Sequence, residues 1–404
     1  MQSPTEQSSW LVFSATLLAG VVAGLQVGKV PPALPLLQSE LGISLVTAGW
    51  VISVFNLTGA SLGFLVGQLT ARYGSRRMIL CGLVLLLSGA VTGAFATSGS
   101  GLIGLRILSG LGFVAVAVAA PRVIVSAVSA RHTALALGIW GVYFPAGIAL
   151  GMLIAPLFLS TIGWRGFWLV NGVIILSVLL FFEVVTRSGK KVVLDEPRPA
   201  TAEPDPESLL RRPLPWVLFG IFLFYSAQFS SVMSWLPTIL VETGDQGLVL
   251  ASLFGAFAVS GNIIGNLFAA WLLHRKANRV VLLFVAYIGM ACGASLVFAG
   301  EMAGWLRTLA AFQFAILGGF LPASLFASSA VHARVKADVA RINGGLVQGS
   351  NLGNLIAPPL VAAVVTTYSG WQFGRLPMLA FFLAGVILVT ILWRLESRAG
   401  LLFR

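Results

Sequence analysis

Twelve long stretches of this chain carry almost no charge, and no other feature narrows its folding options as far. Crossing about 30 Å of hydrocarbon takes roughly 20 helical residues. Runs of that order fall near 10–37, 46–69, 78–96, 101–127, 134–160 and 166–185, then 214–240, 248–273, 280–299, 304–330, 342–367 and 375–393. In lipid every backbone N–H and C=O must be satisfied within the segment or in a closed barrel. The two-residue alternation of barrel strands is absent, which leaves helices. Of 404 residues, 58% are hydrophobic and 9% charged, against about a quarter charged in a soluble domain. The expectation is an all-α membrane protein with twelve transmembrane helices.

The net charge of +12 does not indicate nucleic acid, because the basic residues sit in short gaps between apolar runs. The gaps alternate. One set holds Arg72, Arg76 and Arg77; Arg131; Arg187, Lys190 and Lys191; Arg275, Lys276 and Arg279; Arg334, Lys336 and Arg341; and Arg394 and Arg398. The other holds mainly Glu40, Arg165, Glu242, Asp245, Glu301 and Arg375. The positive-inside rule assigns the first set to the cytoplasm. A bacterial-type inner (plasma) membrane with both termini cytoplasmic follows. Residues 1–9 lack a basic n-region, so the first run reads as a permanent helix rather than a cleaved signal. Cys81 and Cys292 both lie in apolar runs, where a structural disulfide is not expected.

One gap is Pro-rich and of mixed charge, too polar to pack. It reads as a cytoplasmic linker, 187–212, between two six-helix bundles, 1–186 and 213–404. The bundles repeat. Gln26, Pro35, Glu40 and Gly42 recur as Gln228, Pro237, Glu242 and Gly244, each 202 residues on (228−26, 237−35, 242−40 and 244−42). Gly-x-Leu-Ile-Ala-Pro at 151–156 returns at 353–358 with the same offset, and Leu105-Arg106 is echoed by Leu306-Arg307. A steady offset across several helices implies two parallel repeats about an axis normal to the membrane.

The first basic hairpin reads Gly67-Gln-Leu-Thr-Ala-Arg72-Tyr-Gly74-Ser-Arg76-Arg77. Gly67 is expected to let two helices approach closely and Gly74 to supply the turn. The hairpin resembles the loop 2–3 signature of the major facilitator superfamily, with Ala71 where that family carries an acid. Arg106-x-x-x-Gly110-x-Gly112 resembles the family's second motif, whose arginine is associated with proton transfer in proton-coupled members. Snorkelling to the surface is the other reading of Arg106. The fifth run, from Gly138 through Pro145 and Gly151 to Pro156, partly resembles the family's exporter signature but lacks its closing glycine pair. Small residues at that spacing also serve close helix packing. The resemblance implies the family fold and alternating access, with a cavity lined chiefly by the first, fourth, seventh and tenth helices. It also implies gating or coupling roles for Gly67, Arg72, Gly74, Arg76, Arg77 and Arg106.

Candidate substrate contacts come from the residues in those helices. Lys29 precedes Pro31-Pro32 with no acid in the spans to pair it, so it either snorkels or awaits an anion. Arg122 stands toward the inner end of the fourth run, either as a second anion contact or as another snorkelling arginine. Gln26 and Gln228 occupy repeat-related positions suited to hydrogen-bonding a solute or to gluing helices together. Tyr143, Asn343, Gln348, Asn351 and Asn354 add polar character to the fifth and eleventh runs, and Trp140 and Phe229 offer flat apolar faces. Trp164, Trp235 and Trp371 read as interfacial anchors. His132, His274 and His332 all fall in basic gaps, so neither a transmembrane metal site nor an enzyme is expected, and no cofactor.

The expected function is secondary transport of a small organic anion or zwitterion by a monomer, with the proton as coupling ion and symport as the mode. The alternative is a proton-coupled efflux pump for apolar or cationic drugs. It becomes the better reading if neither cation faces the cavity and aromatic and methionine side chains form the pocket.

Overall fold

The computed structural model describes residues 9–188, 211–243, 246–332 and 336–399, and every regular element among them is helical. Most of the expected linker lies outside these segments, as do Gly244 and Asp245. The first span is α1 (Trp10–Gly28) followed by α2 (Val30–Leu41). They part at Lys29 because Pro31 and Pro32 have no N–H to return to the preceding turn. The second span is α3 (Leu45–Ser53), a 3₁₀ turn (Val54–Asn56) and α4 (Leu57–Tyr73). Next come α5 (Ser75–Gly93), α6 (Gly99–Ala127), a fifth span broken into α7 (Thr133–Trp140) and α8 (Tyr143–Leu159), and α9 (Gly163–Ser188).

The second half runs α10 (Pro213–Thr243), α11 (Leu248–His274), α12 (Arg279–Val297), α13 (Gly304–Gly318) with α14 (Phe320–His332), α15 (Lys336–Thr367) and α16 (Arg375–Arg398). Among the described residues, eleven stretches are long and apolar enough to cross a membrane. The remaining long helix, α15, is diluted by Asn343, Gln348, Asn351, Asn354 and the Pro358-Pro359 pair. It packs along the length of α10 like its neighbours.

The repeat is visible in side-chain bonds. Glu40 at the end of α2 accepts the Trp164 indole N–H at 2.8 Å and pairs with Arg165. Glu242 at the end of α10 accepts the Trp371 indole N–H, also at 2.8 Å. Trp235 donates to the Pro358 carbonyl at 3.1 Å. The three tryptophans expected at the lipid interface are therefore buried clamps within the bundle. An indole N–H opposite a carboxylate or a backbone carbonyl is better satisfied inside than at the headgroups.

The halves close on one another at the end away from the arginine-rich gaps. There α3 packs on α15, α8 on α11 and α2 on α10. A Cβ on Gly49 would lie 2.7 Å from the Pro359 Cα, and one on Gly59 would lie 2.6 Å from the Asn351 amide. Farther along the same helices the contact ends: a Cβ at Gly63, Gly67, Gly344 or Gly345 meets nothing within 4 Å. Close helix approach at Gly67 is thus absent in this conformation, because the halves have parted by that depth. The apolar core shows the same asymmetry. One cluster runs from the far end of the first half straight through the second, and a separate one fills the arginine-rich end of the first half.

Candidate functional site

A cavity lies between the halves where the broken spans meet, as expected of discontinuous helices. Val27 and Pro31 face it from the first span, Ile52 and Asn56 from the second, and Phe144, Ile148 and Met152 from α8. The second half contributes Phe229, Ser230, Met233 and Ser234 of α10 and Asn354 of α15. None of these residues is charged. Asn56 donates to the Ser53 carbonyl at 3.2 Å and Ser230 to the Ala227 carbonyl at 3.3 Å, each keeping acceptor capacity. Asn354 and Ser234 are not engaged by another described side chain and are available to a solute.

The lining follows the repeat. Val27 and Phe229, Pro31 and Met233, and Met152 and Asn354 are each separated by the offset of 202 (229−27, 233−31, 354−152). Repeat-related positions on α1/α2 and α10, and on α8 and α15, therefore meet across the pseudo-twofold. Gln26 and Gln228, the contacts expected from the sequence, lie one residue away and about 100° around the helix. Both helices are apolar nearly all round, so no amphipathic contrast in the sequence marks that face.

The expected site residues scatter. Gln26 is buried and donates to Asn171 of α9 at 3.3 Å, inside its own half. Gln228 is fully buried, and among the described residues neither its amide N–H nor its carbonyl oxygen has a hydrogen-bond partner. Lys29 is buried with its ammonium 4.4 Å above the Trp168 ring, away from the cavity. Arg122 is exposed toward the arginine-rich end of α6. Tyr143 stacks on Trp140 with centroids 4.0 Å apart, and the next residue, Phe144, reaches the cavity. Asn351 donates to the Val347 carbonyl of its own helix at 2.8 Å, one turn before Asn354.

Arg106 neither snorkels nor faces the cavity. Its Nη1 donates to the Gln26 carbonyl at 2.7 Å and its Nε to the Val51 carbonyl at 3.1 Å, tying α6 to the first two spans. Its repeat partner Arg307 instead caps the end of α12 through the Val297, Ala299 and Gly300 carbonyls. At the basic hairpin Gly74 takes φ +89° between α4 and α5. Arg76 reaches Glu183 at 2.5 Å and Thr186 at 3.0 Å, while Arg72 and Arg77 stay exposed.

Comparison with known proteins points one way on family and several ways on substrate. The family model described as Major Facilitator Superfamily matches residues 16–344. A multidrug efflux pump, LfrA of Mycolicibacterium smegmatis, is 29% identical over 68% of the chain. The match covers 49% of that pump, so the chain spans about half the length of this relative. A hexuronate transporter of Bacillus subtilis is 25% identical over 92% of the chain and 90% of its own length. Among solved structures, a bacterial homolog of the human lysosomal transporter Spinster, inward-facing and occupied, superposes with a TM-score of 0.75 at 16% identity, covering 96% of this chain and 97% of the other.

Proposed function

The chain belongs to the major facilitator superfamily, and on that premise we propose that this multi-pass membrane transporter exports small, largely apolar solutes bearing a planar ring, uncharged or carrying a diffuse positive charge. One observation carries the reading. The cavity is walled by Phe144 and Met152 from one half and Phe229 and Met233 from the other, with only amides and hydroxyls as polar contacts. Aromatic faces and methionine sulfur fit flat, polarisable solutes, and ring faces also accept a delocalised cation. A carboxylate would find no cation on this lining. Transport then alternates by rocking of the halves about the cavity. The positive-inside rule makes the arginine-rich opening the cytoplasmic one. An inward proton would drive export.

The test is a thermal-shift screen of purified protein against uncharged aromatics, lipophilic cations and carboxylates, since any ligand of the folded state raises its apparent stability. Stabilisation by the first two classes is expected, with affinity falling about tenfold, ~1.4 kcal/mol, in Phe144→Ala and Phe229→Ala. Stabilisation by carboxylates alone, indifferent to both substitutions, would sink this reading. It would favour the organic-anion symporter instead, a second reading supported by the near full-length match to the hexuronate transporter.

A further inference from the structure

We propose that the first half holds a small monovalent anion between the Lys29 ammonium and the Arg106 guanidinium, behind the first span as seen from the cavity. At about 100° per helical residue, Lys29 stands on the opposite face from Val27 and Pro31, which line the cavity. It is 2% exposed, and Arg106 is 3% exposed. The ammonium rests on the Trp168 ring and has no hydrogen-bond acceptor among the described residues. Two nitrogens of Arg106 are occupied by carbonyls, and Nη2 is buried without a hydrogen-bond partner among the described residues, the guanidinium lying 4.6 Å over the Phe55 ring. Arg106 reaches the backbone carbonyl of Gln26, three residues before Lys29. The Gln26 amide meets Asn171 one turn along α9 from the Trp168 ring under the ammonium, so both cations border the same side of the first span.

The acid inventory leaves this pair without a counter-ion. Between residues 9 and 188 the only acids are Glu40 and Glu183. Glu40 is held by Trp164 and Arg165, and Glu183 by Arg76, each elsewhere in the bundle. Two like charges out of water with no counter-charge repel strongly and are poorly solvated. A bound anion removes both costs. The donors left open are the ammonium and one guanidinium nitrogen, enough for a halide or a single carboxylate group and no more. The Gln26–Asn171 amide pair, one turn along α9 from Trp168, adds polar groups beside them.

The experiment is the apparent Tm of the purified full chain at constant ionic strength, with chloride or acetate replacing isethionate, in wild type and Lys29→Met. A saturable upward shift in wild type, lost in Lys29→Met, is expected. A response to chloride identifies a halide site and a response to acetate a carboxylate site. Lys29→Met deletes an ammonium that bonds no protein acceptor, so in isethionate its Tm should equal or exceed that of wild type. A wild-type Tm indifferent to both anions, or a response that survives in Lys29→Met, overturns the proposal. Phe144→Ala should leave the anion response intact, which separates this site from the cavity.

Discussion

Glu396 escaped sequence reading because it lies past the last apolar run, yet it is 1% exposed. Its two carboxylate oxygens take Arg279 at 3.0 Å and His332 at 2.8 Å, joining the ends of α12, α14 and α16. Breaking a buried pair leaves its partner uncompensated, so Glu396→Ala should cost about 3 kcal/mol of folding stability. The exposed Arg165, paired with Glu40, should cost about 1 kcal/mol or less on substitution by alanine. Equal losses in titrated unfolding would refute this ranking. Gln228 is the opposite case, an amide buried with neither end satisfied among the described residues. Gln228→Met removes that desolvation penalty at similar volume and should raise stability by roughly 1–2 kcal/mol. A fall in stability would mean that the amide has a partner that escapes hydrogen-bond geometry.

At the scale of elements, small residues set which helices touch. A Cβ on Gly147 would lie 2.4 Å from the Val21 carbonyl oxygen, and one on Gly151 would lie 2.8 Å from the Gly28 carbonyl carbon. A Cβ on their repeat partners Gly349 and Gly353 would lie 2.5 and 2.2 Å from the Phe219 and Leu223 carbonyl oxygens. The glycines of the fifth span thus seat α8 on α1, as those of α15 seat α15 on α10. The incomplete exporter-like signature is therefore used here for backbone packing, as small-x-x-x-small spacing allows. Helix positions and the repeat were legible because lipid imposes a length and an apolar character on every span. Which face of α1 meets the cavity was not legible, because the whole helix is apolar or buried and offers no amphipathic contrast.

At the scale of the molecule, closure at the far end rests on α3 lying backbone-close to α15 at Gly49. A larger side chain there meets the Pro359 backbone, which cannot give way. Gly49→Leu should therefore hold the far end apart, shifting spin labels on the exposed Ser44 and Thr367 to longer separations. Unchanged distances would show that the seam closes by another contact. The same substitution should abolish alternation while leaving the first half folded, since its arginine-rich end keeps its own core.

The sequence by itself determined that the chain spans lipid as repeated helical halves, which cations it carries and that few acids oppose them, because length, hydropathy and composition are local quantities. The tertiary structure alone decided where those cations point. Lys29 and Arg106 turn into the first half, while Phe144, Phe229, Met152 and Met233 turn toward the cavity. The reason is rotational. A difference of one residue moves a side chain by about 100° around its helix, and only the packing of glycine-lined neighbours against α1 and α10 sets that angle.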